Sequence, residues 1–323
     1  MRRRSVLKIS VAALSGTVLT ACGSSPADEP GTDASGPRTV TVGVIPIVDV
    51  APIYLGKEQG FFSSRGIDLN LVTAQGGSAI VPGVLSGEFE FGFSNITSLM
   101  IAQTKKVPVK VVANGAASTG AAGKDFSGVV VRKGSQITTA AALAGRKVAV
   151  NTLKNIGDTT VRESVRKDGG DPSGIQFVEI AFPDMPAALE NGQVDAAWLV
   201  EPQLSTAKAA GATVVASNFT DTAPNLTIAA YFTGAKLIGE DPALVGRFTE
   251  AVNESLSYAD AHPDEVRAVL SSYTKISEEV RAALILPTWP VEINRASLET
   301  LAGLGETDGI FGDARPDLSK LLP

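Results

Sequence analysis

The sequence predicts an α/β protein built from two units, each with a mostly parallel sheet. From Arg38 onward, short segments rich in β-branched residues alternate with helix-like segments, which is the pattern of strands connected by helices. A stretch rich in glycine and alanine, 114–128, then separates one such set from a second. The chain has 323 residues, of which 44% are hydrophobic, and this is enough for two sizeable cores.

The first set of elements is predicted between residues 40 and 112. Pro52 suits the first turn of a helix, where a missing N–H is harmless, and Ser78 is expected to be the N-cap of the next helix. The predicted strands are 40–45, 67–72, 89–93 and 107–112, and the predicted helices are 52–62, 78–85 and 96–103.

The second set repeats this order and is followed by a helical tail. Asp241, Pro263 and Ser277 stand where tail helices should begin. Residues 85–92 resemble 189–197, since each ends a helix with glycine and then starts a strand with an acidic residue, which suggests two units on one plan. The predicted strands are 129–132, 147–150, 175–180, 195–200 and 213–216, followed by an apolar run at 226–232, and the predicted helices are 139–143, 158–167, 185–190, 202–209, 242–260, 264–271, 278–284 and 295–304.

The N-terminus has the pattern of a bacterial secretory signal. Three arginines precede an apolar run, Ile9 to Leu19, which is too short to span a membrane. Leu19-Thr20-Ala21-Cys22 resembles a lipobox, in which the only cysteine of the chain is acylated; the alternative is an ordinary signal with a chance cysteine. Residues 3–8 also resemble a twin-arginine export signal, although the arginines could equally supply charge for general secretion. We expect 1–21 to be the signal and 22–38 the lipidated cysteine and a flexible linker.

Charge and residue types exclude several classes of function. The chain has a formal charge of −6, and its leader holds four positive charges and no negative ones, so the mature part is more acidic still. This argues against nucleic acid and against a basic membrane-docking surface. The single histidine, His262, precedes a proline at a helix end and is expected to face solvent; with one acylated cysteine it cannot build a metal cluster. No P-loop, H-E-x-x-H or G-x-S-x-G motif is present, so we expect neither an enzyme nor a cofactor.

Several motifs in order resemble the solute-binding proteins of the nitrate, sulfonate, taurine and thiamine-pyrimidine (NMT1-like) group. The matching pieces are Ala51 to Phe62, Gly66 to Leu69, Leu85 to Glu90, Gly145 to Ala149, and Val194 to Ala197. The resemblance implies a type II periplasmic-binding fold, in which two α/β lobes are joined by two hinge crossovers and the ligand lies in the cleft. The implied lobes are 39–127 plus 230–323, and 128–229.

The resemblance also implies a function and partners. We expect a monomeric substrate-binding lipoprotein of an ABC importer, held by Cys22 on the extracytoplasmic face of the cell membrane and working with a permease and an ATPase. The remaining alternatives are a ligand sensor or adhesin of the same fold and, less favoured, a secreted enzyme such as a carboxylate-based hydrolase.

The ligand should lie beyond the carboxyl ends of the parallel strands, where the strand-to-helix turns are. The N-termini of helices near Ser78, Thr97 and Thr159 could hold an anion, whereas the alternative for each hydroxyl is simple capping. Trp198 offers a flat surface for a ligand or packs in the core. Asp49 and Glu201 suit a ligand with donor groups, or are a helix N-terminal charge and an exposed loop charge. The candidate ligand-binding residues are Asp49, Gln75, Ser78, Ser94, Asn95, Asn155, Asp158, Thr159, Trp198 and Glu201.

The chemical class of the ligand is less constrained. The turns lack an arginine for a strong anion clamp, and Lys154, the basic residue on them, is interpreted as solvated. We expect a small organic anion, a sulfonate or carboxylate, held mostly by backbone N–H groups and hydroxyls. The alternative is a thiamine-precursor pyrimidine or another amine-bearing ligand.

Overall fold

The computed structural model describes residues 36–323, which form two five-stranded sheets with helices on their faces. The predicted signal, lipidated Cys22 and most of the linker lie outside the described residues. The first sheet has the spatial order β2-β1-β3-β10-β4 and the second β7-β6-β8-β5-β9. The strands are β1 (Arg38–Val44), β2 (Ile67–Thr73), β3 (Phe91–Asn95), β4 (Val109–Ala117), β5 (Ser127–Val131), β6 (Lys147–Val150), β7 (Gln176–Glu179), β8 (Ala196–Val200), β9 (Thr213–Ala216) and β10 (Thr227–Gly234).

The helices cover both faces of each sheet and dominate the last third of the chain. Short 3-10 turns at Val48–Val50, Ala141–Leu143 and Phe182–Asp184 lie between them. The helices are α1 (Ala51–Glu58), α2 (Gly77–Ser86), α3 (Ile96–Thr104), α4 (Ile156–Lys167), α5 (Met185–Glu190), α6 (Gln203–Ala209), α7 (Asn218–Thr222), α8 (Ala235–Glu240), α9 (Pro242–Ala261), α10 (Pro263–Val269), α11 (Glu278–Ala283), α12 (Arg295–Thr307) and α13 (Leu318–Leu321).

The two sheets share one topology, and this confirms the predicted two-lobed α/β fold. In each sheet two pairings are parallel and two are antiparallel, because one strand, β10 or β5, runs against the other four. The chain crosses between the sheets twice, between β4 and β5 and between β9 and β10. We call the first sheet with its helices lobe 1, and the second sheet with α4–α7 lobe 2.

The repeated glycine–acid junction occupies the same place in both lobes. The Glu90 carboxylate accepts the Thr41 N–H at 2.8 Å just before β3, and the Asp195 carboxylate accepts the Lys147 N–H at 2.9 Å just before β8. Each acid thus joins two neighbouring strands, β3 to β1 in lobe 1 and β8 to β6 in lobe 2. The internal resemblance in the sequence therefore reflects equivalent positions.

Some elements differ from the sequence expectation. The stretch 114–128 is only partly a connection between the lobes, since β4 runs to Ala117 and β5 begins at Ser127. The small, buried residues at its two ends pair in the sheets. The apolar run 226–232 is β10 itself, so the predicted lobe limit at 229 falls inside a strand of lobe 1. His262 does not face solvent freely: it is half-buried, its ring stacks on Tyr258 at 3.8 Å, and its Nδ1 is 2.7 Å from the Tyr258 carbonyl.

Aromatic side chains form the centre of the lobe 1 core. Phe91 stacks on Phe248 of α9 with ring centroids 3.7 Å apart, and Phe93 contacts Tyr231 edge-on at 5.2 Å. Helix α9 is thereby fixed against one face of the sheet, while α2 and α3 cover the other. The packing leaves the carboxyl ends of β1, β2 and β3 directed toward lobe 2.

Candidate functional site in the interlobe cleft

The strand-to-helix turns of the two lobes meet, as the sequence predicts. The Asn155 side-chain amide donates to Ser98 Oγ of α3 at 2.9 Å. The Val48 N–H donates to the Glu201 carbonyl at 3.0 Å. Gly76 also lies close to lobe 2, where a Cβ atom on it would be 3.3 Å from Asn151 Nδ2. The turns that contain most of the candidate residues therefore face each other across one cleft.

A glycine turn places the N-terminus of α2 on the end of β3. A Cβ atom on Gly77 would overlap the Ser94 side chain, so only glycine permits this approach. The N-cap is Gly76 and not Ser78, which lies exposed in the first turn. The prediction of Ser78 as the cap is wrong because the helix already begins at Gly77. Free N–H groups of the first turn remain available to a ligand.

The N-terminus of α3 is capped by its own asparagine. Asn95 Oδ1 accepts the Ser98 N–H at 2.9 Å, and Ser94 Oγ donates to the Asn95 carbonyl at 3.0 Å. These two candidates therefore shape the turn and are already bonded. Thr97 is buried, and its hydroxyl has no hydrogen-bond partner within residues 36–323.

The N-terminus of α4 carries a buried carboxyl. Asp158 Oδ2 accepts the Lys154 N–H at 3.0 Å, while Oδ1 has no partner in the described part of the chain. Burial raises the pKa of Asp158 from 3.8 to about 6. Thr159 is fully buried with an equally unpartnered hydroxyl, and Asn155 Oδ1 accepts the Ile156 N–H at 2.9 Å.

Buried polar atoms without partners are therefore concentrated on both sides of the cleft. Thr97 lies on the lobe 1 side, and Asn151, Asp158 and Thr159 lie on the lobe 2 side. Buried polar groups in folded proteins are nearly always bonded, so a set of unbonded ones indicates a missing partner. The donors and acceptors together would suit a small polar molecule.

An open cavity also lies between the lobes, and its lining does not include these unbonded side chains. Its volume is about 290 Å³, and it is lined by 45–47 and 73–75 of lobe 1 and by 181–184 of lobe 2. Gln75 contributes an exposed side chain to it. The dimensions suit a small organic molecule.

Trp198 and Glu201 are both bonded within the protein. The Trp198 ring lies in the lobe 2 core against Phe182 and Phe219, and its indole N–H donates to Ser127 Oγ at 2.9 Å. This geometry favours core packing, the alternative stated for Trp198. Glu201 is fully buried, so it is not an exposed loop charge; its carboxylate accepts the Ser205 N–H and hydroxyl at 2.9 and 2.7 Å and the Ile285 N–H at 3.3 Å.

Asp49 lies in a buried aromatic cluster that the sequence reasoning missed. Its carbonyl accepts the Trp289 indole N–H at 3.1 Å, and Tyr273 donates to the Ile47 carbonyl at 3.1 Å. Tyr54 stacks on Tyr273 with ring centroids 4.0 Å apart. Burial, with a smaller contribution from the nearby Asp125 carboxylate, raises the pKa of Asp49 from 3.8 to about 7. Because Tyr273 and Trp289 follow Asp49 by more than 200 residues, no local pattern could have indicated this cluster.

Metal binding and membrane crossing find no support in the described residues. Within 36–323 no three His, Cys, Asp or Glu side chains are grouped so that they could hold a metal ion. Over the same range no helix combines the length and apolar character that a membrane crossing requires.

Lys154 is exposed, with a backbone φ of 51°.

The chain belongs to the NMT1/THI5 like family, whose model matches residues 47–266. This confirms the family expected from the sequence motifs. A protein of Bacillus subtilis named as an aliphatic sulfonates-binding protein is 23% identical over 249 residues, covering 75% of this chain and 72% of the relative. A protein of Brucella abortus named as a binding protein is 23% identical over 227 residues, covering 69% and 67%.

Solved structures of periplasmic binding proteins share the fold. The ligand binding component of an ABC-type import system from Staphylococcus aureus superposes with a TM-score of 0.76 at 15% identity, covering 88% of this chain and 96% of that one. The periplasmic aliphatic sulphonate-binding protein from Escherichia coli gives 0.70 at 18% identity, covering 88% and 97%. The periplasmic nitrate-binding protein from Synechocystis gives 0.73 at 14% identity, covering 85% and 82%. The predicted periplasmic-binding fold is thus confirmed.

Proposed function

We propose that this chain is the extracytoplasmic substrate-binding protein of an ABC importer, and that it captures a small organic anion in the cleft between its lobes. The N-termini of α2, α3 and α4 meet in this cleft, and each presents backbone N–H groups at the positive end of its helix dipole. The observation that carries the proposal is the group of buried, unbonded side chains at the N-termini of α3 and α4. The family and the sulfonate- and nitrate-binding names among its relatives support it.

The anion is held without an arginine. The hydroxyls of Thr97 and Thr159 donate to it together with first-turn N–H groups, because a helix terminus supplies unbonded donors without net charge. A sulfonate or carboxylate has several acceptor oxygens and can use donors from both lobes at once. Binding then favours the closed arrangement of the lobes.

The N-terminal features define where the protein works. Acylation of Cys22 anchors it to the outer face of the cell membrane, and the linker lets the lobes reach a permease and its ATPase. A diacyl group with a further chain binds a membrane stably, whereas a single chain does not. The protein acts as a monomer.

Thermal unfolding of the purified chain against a panel of small molecules tests the proposal. The panel contains alkanesulfonates, aromatic and aliphatic carboxylates, nitrate, pyrimidines and amines. An anion at about 100 times its Kd stabilises the native state by about 2.7 kcal/mol, which raises Tm by a few degrees. If no anion shifts Tm, and mass spectrometry of the denatured protein finds no co-purified small molecule, the proposal is wrong.

A pair of threonine variants locates the anion. Thr97→Val keeps the shape of the side chain but removes the unbonded hydroxyl, so we expect affinity for the anion to fall about tenfold or more. Thr300→Val is the matched control, because Thr300 is exposed on α12 and its hydroxyl donates to the Ala296 carbonyl at 3.1 Å. Titration calorimetry on both variants makes the comparison, and equal affinities would place the anion elsewhere.

A second candidate ligand is favoured by the carboxyls of the cleft. Asp49 and Asp158 each keep an unbonded oxygen, and a carboxylate oxygen accepts hydrogen bonds. A thiamine-precursor pyrimidine or another amine-bearing molecule would supply donors to them. The pyrimidines and amines of the panel decide between this class and a simple anion.

A further inference from the structure

The Asp158 carboxyl folds back over the N-terminal end of α4. The residue lies in the first turn of the helix, yet its Oδ2 accepts the N–H of Lys154, which precedes the helix, at 3.0 Å. The residue is 4% exposed, and its other oxygen, Oδ1, has no hydrogen-bond partner within residues 36–323. A buried carboxylate oxygen without a partner is costly, so it requires a proton, a donor or a cation.

This end of α4 lies where the two lobes meet. Its N-cap, Asn155, donates through the side-chain amide to Ser98 Oγ in the first turn of α3 at 2.9 Å. The turn before it lies against the N-cap of α2, since a Cβ atom on Gly76 would be 3.3 Å from Asn151 Nδ2 and from Thr152 Oγ1. The Asp158 carboxyl is therefore held where the three helix N-termini converge.

The carboxyl is an acid among donors. Within the described chain, Asp158 is the only acidic residue in the first turns of α2, α3 and α4. The buried hydroxyls of Thr97 and Thr159 have no partner in 36–323 and can donate, as can first-turn N–H groups. An ionised Asp158 would repel an anion held by these donors, whereas a protonated Asp158 is one more donor and forms a short, strong O–H···O⁻ bond.

No neighbouring cation neutralises the carboxylate. No salt bridge within residues 36–323 includes Asp158. Burial raises the pKa of Asp158 from 3.8 to about 6, and the Arg162 guanidinium one turn along α4 offsets only part of that rise. That guanidinium donates to the Pro172 carbonyl at 2.8 Å and lies over the Phe177 ring. Lys154 points its charge to solvent, since it is exposed.

The other charged groups on α4 and on the elements packed against it have partners of their own or lie at the far end of the helix. They are Arg166, which pairs with Glu163 and Asp308; Asp221 of α7, which accepts the Ser164 hydroxyl at 2.7 Å; Glu179 of β7, which accepts the Leu153 N–H at 2.9 Å; Asp171, which accepts the Ser173 N–H at 2.9 Å; and Lys167 and Asp168 at the C-terminal end of α4. The protonation of Asp158 is thus governed by burial and by what binds beside it.

We infer that Asp158 binds the anion as a neutral carboxylic acid and donates its proton to an oxygen of the anion, so that capture of a sulfonate takes up one proton from solution. This inference rests on the proposed function, since it assigns a role to an acid of the same site. The proton stays on Asp158 while the anion is bound, and Oδ2 keeps its bond to the Lys154 N–H. Affinity therefore follows the protonated fraction of the free protein and falls about tenfold for each pH unit above pH 6.

Titration calorimetry on the full chain between pH 5.5 and pH 8 tests the inference. The probes are propanesulfonate, benzenesulfonate and benzoate, which stay ionised over this range. We expect the anions that bind to do so about 80-fold more weakly at pH 8 than at pH 5.5. At pH 8, the binding enthalpies in Tris and in triethanolamine, two cationic buffers that do not compete for an anion site, give the proton uptake, which should be about one per anion.

The substitution Asp158→Asn supplies a donor that does not titrate. The Lys154 N–H holds the amide oxygen at the position of Oδ2, so the amide NH₂ takes the position of Oδ1. We expect this variant to bind the anions equally well across the pH range, without proton uptake, and about 80-fold more tightly than the unmodified protein at pH 8. Misfolding cannot produce such a gain in affinity.

Two further variants make the result specific. Thr159→Val removes a donor that does not titrate, so it should weaken binding by a similar factor at pH 5.5 and pH 8. Asp168→Asn is the matched control, because Asp168 lies exposed at the other end of α4. We expect this control to keep both the affinity and the pH dependence of the unmodified protein.

The outcomes separate the inference from the proposed function. If the anions bind with a Kd that does not change with pH, or if Asp158→Asn keeps the pH dependence, the inference is overturned and the anion-binding function stands. If amines bind, more tightly as pH rises, and no anion does, both proposals fail and Asp158 acts as an acceptor. If none of the three anions binds at any pH, both fail.

Discussion

Four buried acids near the cleft and hinge show how differently one residue type can be used. Glu201 and Asp125 have their oxygens bonded by hydroxyl and N–H donors, and they fix α6 and the first crossover. Asp49 and Asp158 each keep one oxygen unbonded. Burial alone thus does not determine how a carboxyl is used, and the unbonded oxygens make Asp49 and Asp158 candidates for ligand binding.

These unbonded carboxyls predict how stability depends on pH. Burial raises the folded-state pKa of Asp49 to about 7 and that of Asp158 to about 6, from 3.8. Between pH 4 and 7 the folded protein therefore holds protons that the unfolded chain has lost, and the contribution of these groups to stability falls as pH rises through that window. For Asp49 the loss amounts to roughly 4 kcal/mol at pH 8.

Urea unfolding at pH 4 to 8 and constant ionic strength measures this loss. We expect Asp49→Asn to gain stability relative to the unmodified protein as pH rises from 4 to 7, and Asp158→Asn to gain only up to about pH 6. Parallel curves of unfolding free energy against pH for the three proteins would show that burial does not raise the pKa values of these carboxyls.

At the scale of elements, the position of α4 depends on one close contact with the sheet. Gly157 in the first turn of α4 packs on the Trp198 ring, and a Cβ atom there would lie 2.5 Å from the nearest ring carbon. Helix and strand thus approach closely where Asn155, Asp158 and Thr159 enter the cleft. The Trp198 ring, on the core side of the helix, therefore sets the position of the α4 N-terminus.

Two glycine-to-alanine substitutions separate this contact from helix propensity. Gly157→Ala should destabilise the protein by about 1–3 kcal/mol, because the core has no room for a methyl group. Gly246→Ala, in α9 with open space around its Cβ position, should stabilise it by up to about 1 kcal/mol. Urea midpoints compare the two, and equal effects of the same sign would contradict the packing argument.

The order of strands and helices could be predicted from sequence because each depends on local pattern. The β-branched segments mark most strands, and polar N-caps such as Asp241 and Ser277 mark the starts of several helices. Helices α7, α8 and α13 were missed because four to six residues are too few for a helical period to be visible, whereas α11, also six residues long, was marked by its N-cap Ser277. The apolar run of β10 was recognised, but its pairing between β3 and β4 is a long-range event that local pattern does not contain.

The candidate site could be predicted only in its location. The turns after β1, β2, β3 and β6 converge because parallel strands end at one edge, which is a property of the fold. What each side chain does there depends on neighbours from distant parts of the chain. Trp198 is covered by Phe182 and Phe219, and the Asp49 cluster requires Tyr273 and Trp289.

At the scale of the whole molecule, an ion pair joins the lobes away from the ligand turns. Arg166 at the end of α4 pairs with Asp308, which follows α12 of lobe 1. The Asp308 side chain is 3% exposed, and the Arg166 guanidinium also contacts Glu163 at 3.1 Å. The pair adds to the Asn155–Ser98 contact in holding the two lobes together.

We expect loss of this ion pair to shift the lobes toward the open arrangement. An ion pair with a partly exposed partner is worth about 1 kcal/mol, so Arg166→Met should lower affinity for the cleft ligand about fivefold and increase the radius of gyration without ligand. Small-angle scattering and calorimetry measure these effects. Arg315→Met is the control, since Arg315 is 80% exposed and pairs with Glu306 within lobe 1. Equal affinities and equal radii of gyration in the two variants would show that the Arg166–Asp308 pair does not hold the lobes together.

The position of β10 has a consequence for the order in which the molecule can be built during synthesis. Lobe 1 begins with the first described strand, but β10, which lies between β3 and β4, comes only after all of lobe 2 has been made. Until Thr227–Gly234 leaves the ribosome, β3 and β4 have no strand to pair with on their facing edges. Lobe 2 consists of one uninterrupted stretch and has all its strands by Ala216. The part of the chain that is translated first is thus the part that is completed last.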